Sequence, residues 1–282
     1  MDNCKVANRR QFSSKKVASS PPTVTCEAWS VFDPITKTFL GGKNDRQQRE
    51  IASISKIMTC LVCLEIAEEQ EISLDSIVSV PEEASRMKGT TANLEEFDEL
   101  TIYELLLGLM LPSGNDSAVA LAIYFGSFYL EDDPIRGFLR VMNYMAEYLE
   151  LSCTKFQNPH GLSLKPNFSS AYDVNIMAAY ALKNPTFKEI VSMPSAEVNI
   201  YNPLFGYRKI LWKNTNVLLG KGFDGAKTGT TDKAGHCLCA TIDDPITPFI
   251  ITVLKSRNND GRWEDTVKLA NWIKSSIYSK FD

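Results

Sequence analysis

The segment EIASISKIMTCLVCLEIAEE, at residues 50–69, combines a strongly apolar pattern with a serine–lysine pair, Ser53 and Lys56, at its start. The apolar pattern predicts a buried helix. Because residues at i and i+3 share one helix face, the Lys56 amine would lie within reach of the Ser53 hydroxyl. A lysine kept neutral by burial and a second cation can take a serine proton. The segment therefore predicts Ser53 as a nucleophile and Lys56 as its base.

The serine–lysine spacing alone is weak evidence, because S-x-x-K begins at four positions in this chain: Ser13, Ser53, Ser85 and Ser152. Ser53 differs from the others in lying at the start of an apolar helix. There the backbone N–H groups and the helix dipole favour a developing oxyanion. This position distinguishes Ser53 as the candidate.

A second motif, LPSGND at residues 111–116, contains Ser113 and Asn115. The preceding helix has a capping box, Thr101 with Glu104, and is stopped by Pro112. The apolar segment AVALAIYFG then resumes as a helix. In isolation, S-G-N indicates an ordinary turn with a helix cap. Its place between two apolar helices favours side chains held rigidly in a cleft.

A third motif, GAKTGTT at residues 225–231, places Lys227, Thr228 and Gly229 on a predicted strand. A cation and a hydroxyl, followed by a glycine that lets a ligand approach the backbone, suit the binding of a carboxylate. Alone, this motif is typical of an exposed strand end. The three motifs together, in a helix, loop and strand context, carry the functional argument.

The order of predicted elements indicates an α+β fold. Residues 23–33 and the following KTFLGG form a hairpin, and a mostly helical region extends from residue 53 to about 200. Three strands follow, GAKTGTT, GHCLCATI and PFIITVLKS, before a final amphipathic helix, RWEDTVKLANWIKSSIYSKF. This order predicts an antiparallel sheet built from both chain ends, an inserted all-helical region, and a groove where the two meet.

The bulk properties exclude several classes of protein. A net charge of −4 implies no basic face for nucleic acid. No apolar run approaches the roughly 20 residues of a membrane span. Seven scattered cysteines and two histidines predict neither a disulfide framework nor a metal site, and we expect no cofactor. Free buried thiols, including Cys237 and Cys239, are expected instead and favour a reducing compartment.

Residues 1–23 are basic and serine-rich and contain no recognisable signal peptide. They are interpreted as a disordered tail, with an organellar targeting segment as the alternative. Location is therefore expected to be cytoplasmic by default. Residues 24–282 are predicted to form a single catalytic domain.

The three motifs in this order are a signature of penicillin-binding proteins and β-lactamases. Residues 24–275 resemble the low-molecular-weight D-alanyl-D-alanine carboxypeptidases of the peptidase S11 type. Besides the three motifs, the segments that carry this resemblance are VPEEASRMKGTTANL, FQNPHGL, SSAYDV, NTNVLL and GFDGAKTGTTDKAGHCL. The resemblance implies a β-lactamase/transpeptidase-like α/β/α sandwich with N- and C-terminal helices flanking the sheet. It also implies a peptidoglycan stem or related acyl-D-Ala-D-Ala peptide as substrate, and β-lactams as covalent inhibitors.

The resemblance assigns roles to the first two motifs. Ser53 would attack the carbonyl between the terminal D-alanines and form an acyl-enzyme, with Lys56 accepting its proton. Ser113 would pass a proton to the departing D-alanine, and Asn115 would hold the substrate amide and the lysine network.

The resemblance also assigns the strand motif. Lys227 and Thr228 would bind the terminal carboxylate, Gly229 would permit close approach, and the N–H groups of Thr230 and Ser53 would form the oxyanion hole. His160, in NPHGL, would border the site, with a loop-bracing hydrogen bond favoured over catalysis.

Three departures from the bacterial pattern are expected: no secretory signal, no β-rich domain or membrane anchor after the final helix, and a small insertion at SFYLEDDPIRG, residues 127–137. Two rival functions remain. A β-lactamase would need a carboxylate to activate water, and the loop CTKFQNPHGLSL has none. A non-catalytic descendant that binds penicillin or muropeptides would not need all the catalytic side chains.

Overall fold

The computed structural model describes residues 20–129, 131–243 and 248–278 of the 282-residue chain. The helices are α1 (Lys56–Glu69), α2 (Glu82–Ser85), α3 (Ile102–Met110), α4 (Asn115–Gly126), α5 (Pro134–Tyr148), α6 (Ala171–Ala181), α7 (Pro185–Ser192) and α8 (Asn259–Tyr278). The strands are β1 (Ala28–Asp33), β2 (Thr38–Lys43), β3 (Arg49–Glu50), β4 (Ile77–Ser79), β5 (Glu99–Thr101), β6 (Phe168–Ser169), β7 (Ser195–Asn202), β8 (Gly206–Lys213), β9 (Gly225–Thr231), β10 (Gly235–Ile242) and β11 (Phe249–Ser256). A 3-10 turn at Ala52–Ser55 leads into α1.

The main sheet has five antiparallel strands in the order β2-β1-β11-β10-β9. Strands from the first 43 residues therefore pair with strands from the last third of the chain, as the sequence predicts. Strand β9, which carries the third motif, is an edge strand of this sheet. Strand β9 contacts the 3-10 turn that precedes α1, which brings the first and third motifs together.

The sheet separates two cores, because successive residues of a strand face opposite sides. Trp29 and Val31 pack with Leu269 and Ile273 of α8, whereas Ala28 packs with the inserted helices. In α6, the Asn175 side chain donates to Ser30 Oγ (2.9 Å) and accepts from Thr252 Oγ1 (2.6 Å). The predicted α+β layering, helices on both faces of an antiparallel sheet, is confirmed. The expected N-terminal flanking helix falls outside the described residues.

The inserted region between residues 53 and 200 contains more strand than predicted. A second sheet, in the order β4-β5-β7-β8, accompanies its helices, and the β7–β8 hairpin was not predicted. The sequence of β7 does have the alternation that is typical of a strand, because buried Val198 and Ile200 alternate with exposed Glu197 and Asn199. The predicted capping box of α3 is confirmed, since Thr101 Oγ1 accepts from the Glu104 N–H and Glu104 accepts from the Thr101 N–H.

The cysteine expectation is largely confirmed. Buried free thiols occur at Cys26, Cys60, Cys63, Cys237 and Cys239. Cys153 is disulfide-bonded, which corrects the expectation for that residue. Among the helices of the described ranges, none combines the length and the apolar character required to cross a bilayer.

Candidate active site

Ser53 lies in the 3-10 turn and Lys56 is the first residue of α1. The Lys56 Nζ atom is 3.0 Å from Ser53 Oγ, 2.7 Å from Asn115 Oδ1 and 2.8 Å from the His160 carbonyl oxygen. A neutral amine has two N–H donors and one lone pair. Asn115 Oδ1 and the His160 carbonyl can only accept, so they take the two N–H groups. The lone pair is left for the Ser53 hydroxyl proton.

Burial is the main reason that the Lys56 amine can be neutral. The side chain is fully buried, and desolvation lowers its pKa well below the usual value of a lysine. The positive charge of Lys227 lowers this pKa further, while the carboxylate of Asp116 opposes the shift. The second cation expected from the sequence is therefore close enough to act.

Ser113 has a left-handed backbone, with φ of +65°, and only 2% of its surface is exposed. Its carbonyl oxygen accepts from Thr90 Oγ1 (2.6 Å), and the Asn115 N–H donates to the Thr90 carbonyl (2.9 Å). Asn115 Nδ2 is fixed by the Lys88 carbonyl (2.7 Å). The Ser113 hydroxyl has no hydrogen-bond partner within the described part of the chain. A buried hydroxyl left free in a rigid turn is available to a substrate.

Lys227, like Lys56, is buried, and burial together with the charge of Arg262 lowers its pKa to about 7. Beside it, Thr228 Oγ1 shares a 2.7 Å hydrogen bond with Thr215 Oγ1. Arg262, from α8, donates to Thr230 Oγ1 at 3.0 Å. Lys227, Thr228 and Thr230 of β9 thus lie near a second cation, Arg262 of α8.

Gly229 is the residue at which β9 meets the nucleophile turn. A Cβ added there would lie 2.7 Å from the Ile51 carbonyl oxygen and 3.2 Å from the Ser53 nitrogen. The 2.7 Å distance is shorter than a real Cβ contact, so the lack of a side chain at Gly229 permits this close approach. The sequence predicted that Gly229 lets a ligand approach the strand; in the structure, the backbone of the nucleophile turn approaches it.

The loop that contains His160 braces the site through its main chain. The His160 carbonyl accepts from Lys56, and His160 Nδ1 accepts from the Leu162 N–H at 3.1 Å. Burial and the nearby Lys56 lower the pKa of His160 to about 3, so the imidazole is neutral. Asn158 holds this loop, because its Oδ1 accepts from the Gly161 N–H (2.5 Å). His160 thus has the bracing contact that the sequence favoured.

Sequence reasoning missed Asp116, Arg262 and Asn158. The buried carboxylate of Asp116 accepts hydrogen bonds from Thr91 Oγ1 and from the Ala92 N–H, which attach the segment before α3 to the start of α4. Its position directly after the S-G-N motif could have identified Asp116 as a candidate site residue from the sequence. Arg262 lies 32 residues from Thr230, so only the folded sheet shows their contact.

The structure brings Ser53, Lys56 and Asn115 into contact and packs Gly229, in the strand motif, against the nucleophile turn. No three His, Cys, Asp or Glu side chains within the described ranges form a group that could hold a metal ion. A serine beside a buried lysine, a second serine whose hydroxyl has no partner in the described residues, and a strand that carries a lysine are the groups that a serine acyl-transfer enzyme uses.

Comparisons with known proteins agree with this class. The sequence profile of the D-alanyl-D-alanine carboxypeptidase family, peptidase S11, matches residues 15–258. The chain is 31% identical to D-alanyl-D-alanine carboxypeptidase DacD of Escherichia coli over 93% of its length, and 35% identical to DacF of Bacillus subtilis over 73%. The Streptomyces K15 DD-transpeptidase crystal structure superposes with a TM-score of 0.84 at 31% identity, covering 90% of this chain and 98% of that one.

The chain belongs to the peptidase S11 family of D-alanyl-D-alanine carboxypeptidases, which are serine hydrolases. It spans 66% of the length of DacD and 51% of DacF, but 89% of the Streptomyces K15 carboxypeptidase sequence. The fold is that of the K15 enzyme, and the β-lactamase/transpeptidase-like expectation is confirmed.

Proposed function

We propose that this protein is a serine-type D-alanyl-D-alanine carboxypeptidase, which removes the terminal D-alanine of peptidoglycan-like peptides through an acyl-enzyme on Ser53. The observation that carries the proposal is the set of three contacts of Lys56 Nζ, with Ser53 Oγ, Asn115 Oδ1 and the His160 carbonyl. These contacts direct the lone pair of a neutral amine to the serine proton. In this proposal, residues 24–282 act as one catalytic domain.

Acylation begins when Lys56 Nζ takes the proton of Ser53 and the serine oxygen bonds to the penultimate carbonyl carbon. The N–H groups of Ser53 and Thr230 stabilise the negative oxygen of the tetrahedral intermediate. The C–N bond to the terminal D-alanine then breaks, and Ser113 passes to the departing amine the proton that Lys56 took from Ser53. Water afterwards attacks the ester carbon and loses a proton to Lys56, and this proton returns to the Ser53 oxygen as the ester bond breaks.

Substrate recognition uses the β9 motif. Lys227 and Thr228 bind the terminal carboxylate, and Asn115 holds the amide of the residue before the scissile bond. A β-lactam presents a carboxylate and a strained amide in similar positions, so we propose that it acylates Ser53. The burial of Lys227 strengthens its attraction for a carboxylate, because the local dielectric constant is low.

The test is the intact mass of the protein after brief incubation with benzylpenicillin, followed over time, together with release of D-alanine from an acyl-D-Ala-D-Ala peptide. We expect a one-to-one adduct at Ser53 that decays slowly, and free D-alanine. Ser53→Ala should abolish both without unfolding the protein. Ser85→Ala, in another S-x-x-K sequence, is the matched control and should retain both.

Other outcomes would refute the proposal. Rapid turnover to hydrolysed drug, without D-alanine release, would indicate a β-lactamase. A folded protein that forms no adduct and releases no D-alanine would indicate a non-catalytic binding protein. An adduct that persists in Ser53→Ala would overturn the nucleophile assignment.

A further inference from the structure

A second groove, of about 810 Å³, lies at the C-terminal end of α1. Side chains from α1, α5 and α6 line it, together with Tyr129 and Lys155. An α-helix rises 1.5 Å per residue, so the Glu69 end of the groove is about 20 Å from Lys56 along α1. The groove is therefore separate from the active site. Its volume is within the range of small-ligand sites.

Four tyrosines line this groove: Tyr129, Tyr144, Tyr148 and Tyr180. Tyr144 and Tyr148 are one turn apart on α5 and share a face, and they are 66% and 62% exposed. The ring of Tyr148 packs edge-on against Tyr180, with centroids 6.3 Å apart. Such rings offer flat apolar faces beside a hydroxyl, which suits a ligand with both apolar and polar surfaces.

The charged residues of the groove balance one another. Three carboxylates and three cations line it: Glu65, Glu69, Glu147, Arg136, Arg140 and Lys155. A lining with no net formal charge favours neither a polyanion nor a strongly cationic peptide. Carboxylates and guanidinium groups do provide planar acceptors and donors for hydroxyl and amide groups. The lining therefore favours a neutral, polyhydroxylated ligand.

One wall includes Tyr129, Arg136 and Gly137, which belong to the segment that the sequence marks as an insertion. The segment is packed tightly on α4, because a Cβ added at Gly126 would lie 1.9 Å from the Pro134 carbonyl oxygen. Glu131 also forms an ion pair with Arg140. These contacts fix the wall of the groove against α4 and α5.

We infer that this groove binds glycan: a short run of N-acetylated amino-sugar rings of the polymer that carries the peptide substrate. The apolar C–H faces of the sugar rings pack on Tyr144 and Tyr148, and the hydroxyl and acetamido groups bond to the carboxylates and guanidinium groups. The inference rests on the proposed function, because the substrate peptide is then attached to such a glycan. The groove would favour polymeric over free peptide substrates.

The first test measures binding of chitotetraose, a tetramer of N-acetylglucosamine, to the full chain by NMR titration. We expect chemical-shift changes at the groove, and about tenfold weaker binding in the double variant Tyr144→Ala, Tyr148→Ala. Tyr207→Ala removes a tyrosine that is 78% exposed on β8 and should bind as the parent does. Tyr144→Phe, Tyr148→Phe keeps the rings and should retain most of the affinity.

The second test compares D-alanine release from a polymeric glycan-linked substrate and from a short acyl-D-Ala-D-Ala peptide. The double alanine variant should raise KM for the polymer several-fold and leave kcat/KM for the short peptide unchanged. Absence of chitotetraose binding, equal binding by the double variant, or binding of oligolysine in its place would overturn the inference. Chitotetraose binding without any D-alanine release would refute the proposed function and leave the glycan site standing.

Discussion

Gly161 is packed against the backbone of Ala52, the residue that precedes the candidate nucleophile. Its φ is +99°, and a Cβ placed on it would lie 2.1 Å from the Ala52 carbonyl oxygen and 2.8 Å from the Ser53 nitrogen. Ala52 is itself left-handed, with φ of +48°. The contact fixes the nucleophile turn against the loop whose His160 carbonyl accepts from Lys56.

Gly161→Ala should therefore destabilise the protein and displace the nucleophile. We expect a loss of about 3 kcal/mol in the free energy of unfolding, from the strained φ and the backbone clash together. Labelling of Ser53 by benzylpenicillin should slow as well. Urea denaturation and adduct formation measure the two effects.

Gly206→Ala is the control, because φ there is +79° but nothing lies near the added Cβ. It should cost about 1 kcal/mol and label normally. Equal effects of both substitutions would contradict the role of the Gly161 contact.

Lys227→Ala should lower kcat/KM more for a substrate with a free C-terminal carboxylate than for one with an amidated C-terminus. We expect kcat/KM for a peptide with a free carboxylate to fall by about 100-fold, because a buried charge–charge contact is lost. The loss should be much smaller for the amidated peptide. Removal of Lys227 also removes a charge that lowers the Lys56 pKa, so the ratio of the two losses is the informative quantity. Lys213→Ala, at an exposed position of β8, is the control. Equal losses for both peptides would refute carboxylate binding by Lys227.

The activity should depend on pH through both buried lysines. As pH falls through the lowered pKa of Lys56, the amine gains a proton, loses its lone pair, and kcat/KM falls. As pH rises above about 7, Lys227 loses its charge and kcat/KM falls for substrates with a free carboxylate. Steady-state kinetics across the pH range measures both limbs.

Lys227→Arg separates the two limbs, because a guanidinium keeps its charge at alkaline pH. The alkaline limb should move to higher pH while the acid limb remains. The amidated peptide should lack the alkaline limb in the parent protein. An alkaline limb unchanged by Lys227→Arg would mean that another group controls it.

Asp116→Asn should shift the acid limb to lower pH. The Asp116 carboxylate raises the pKa of Lys56, so its neutralisation lowers that pKa further. An asparagine can no longer accept all the hydrogen bonds from Thr91, Ala92 and Leu94, and a loss of stability of about 1–3 kcal/mol should follow. The pH profile and urea denaturation measure the two effects.

Glu197→Gln is the control, because it replaces an exposed carboxylate on β7; it should change neither the acid limb nor the stability. An unmoved acid limb would show that Asp116 is purely structural.

Local patterns predicted much of the fold, because hairpins, caps and helices depend on nearby residues. The first hairpin, the capping box at Thr101 and the three C-terminal strands all occur as expected. The hairpin at β7–β8 was missed although buried and exposed residues alternate along β7, because the region around it was interpreted as helical. The start of α1 also differs: Ser53 is in a 3-10 turn and not within the helix.

The sequence by itself determined that the Ser53 hydroxyl and the Lys56 amine lie close together, because three residues span about one helical turn. It also contained the other two motifs. Tertiary structure decided whether Lys56 is buried, which atoms accept its N–H groups, and how near Lys227 lies. Those acceptors are separated from Lys56 by 59 and 104 residues. A pKa depends on burial and on charges nearby in space, and neither is fixed until the sheet and the inserted helices pack together.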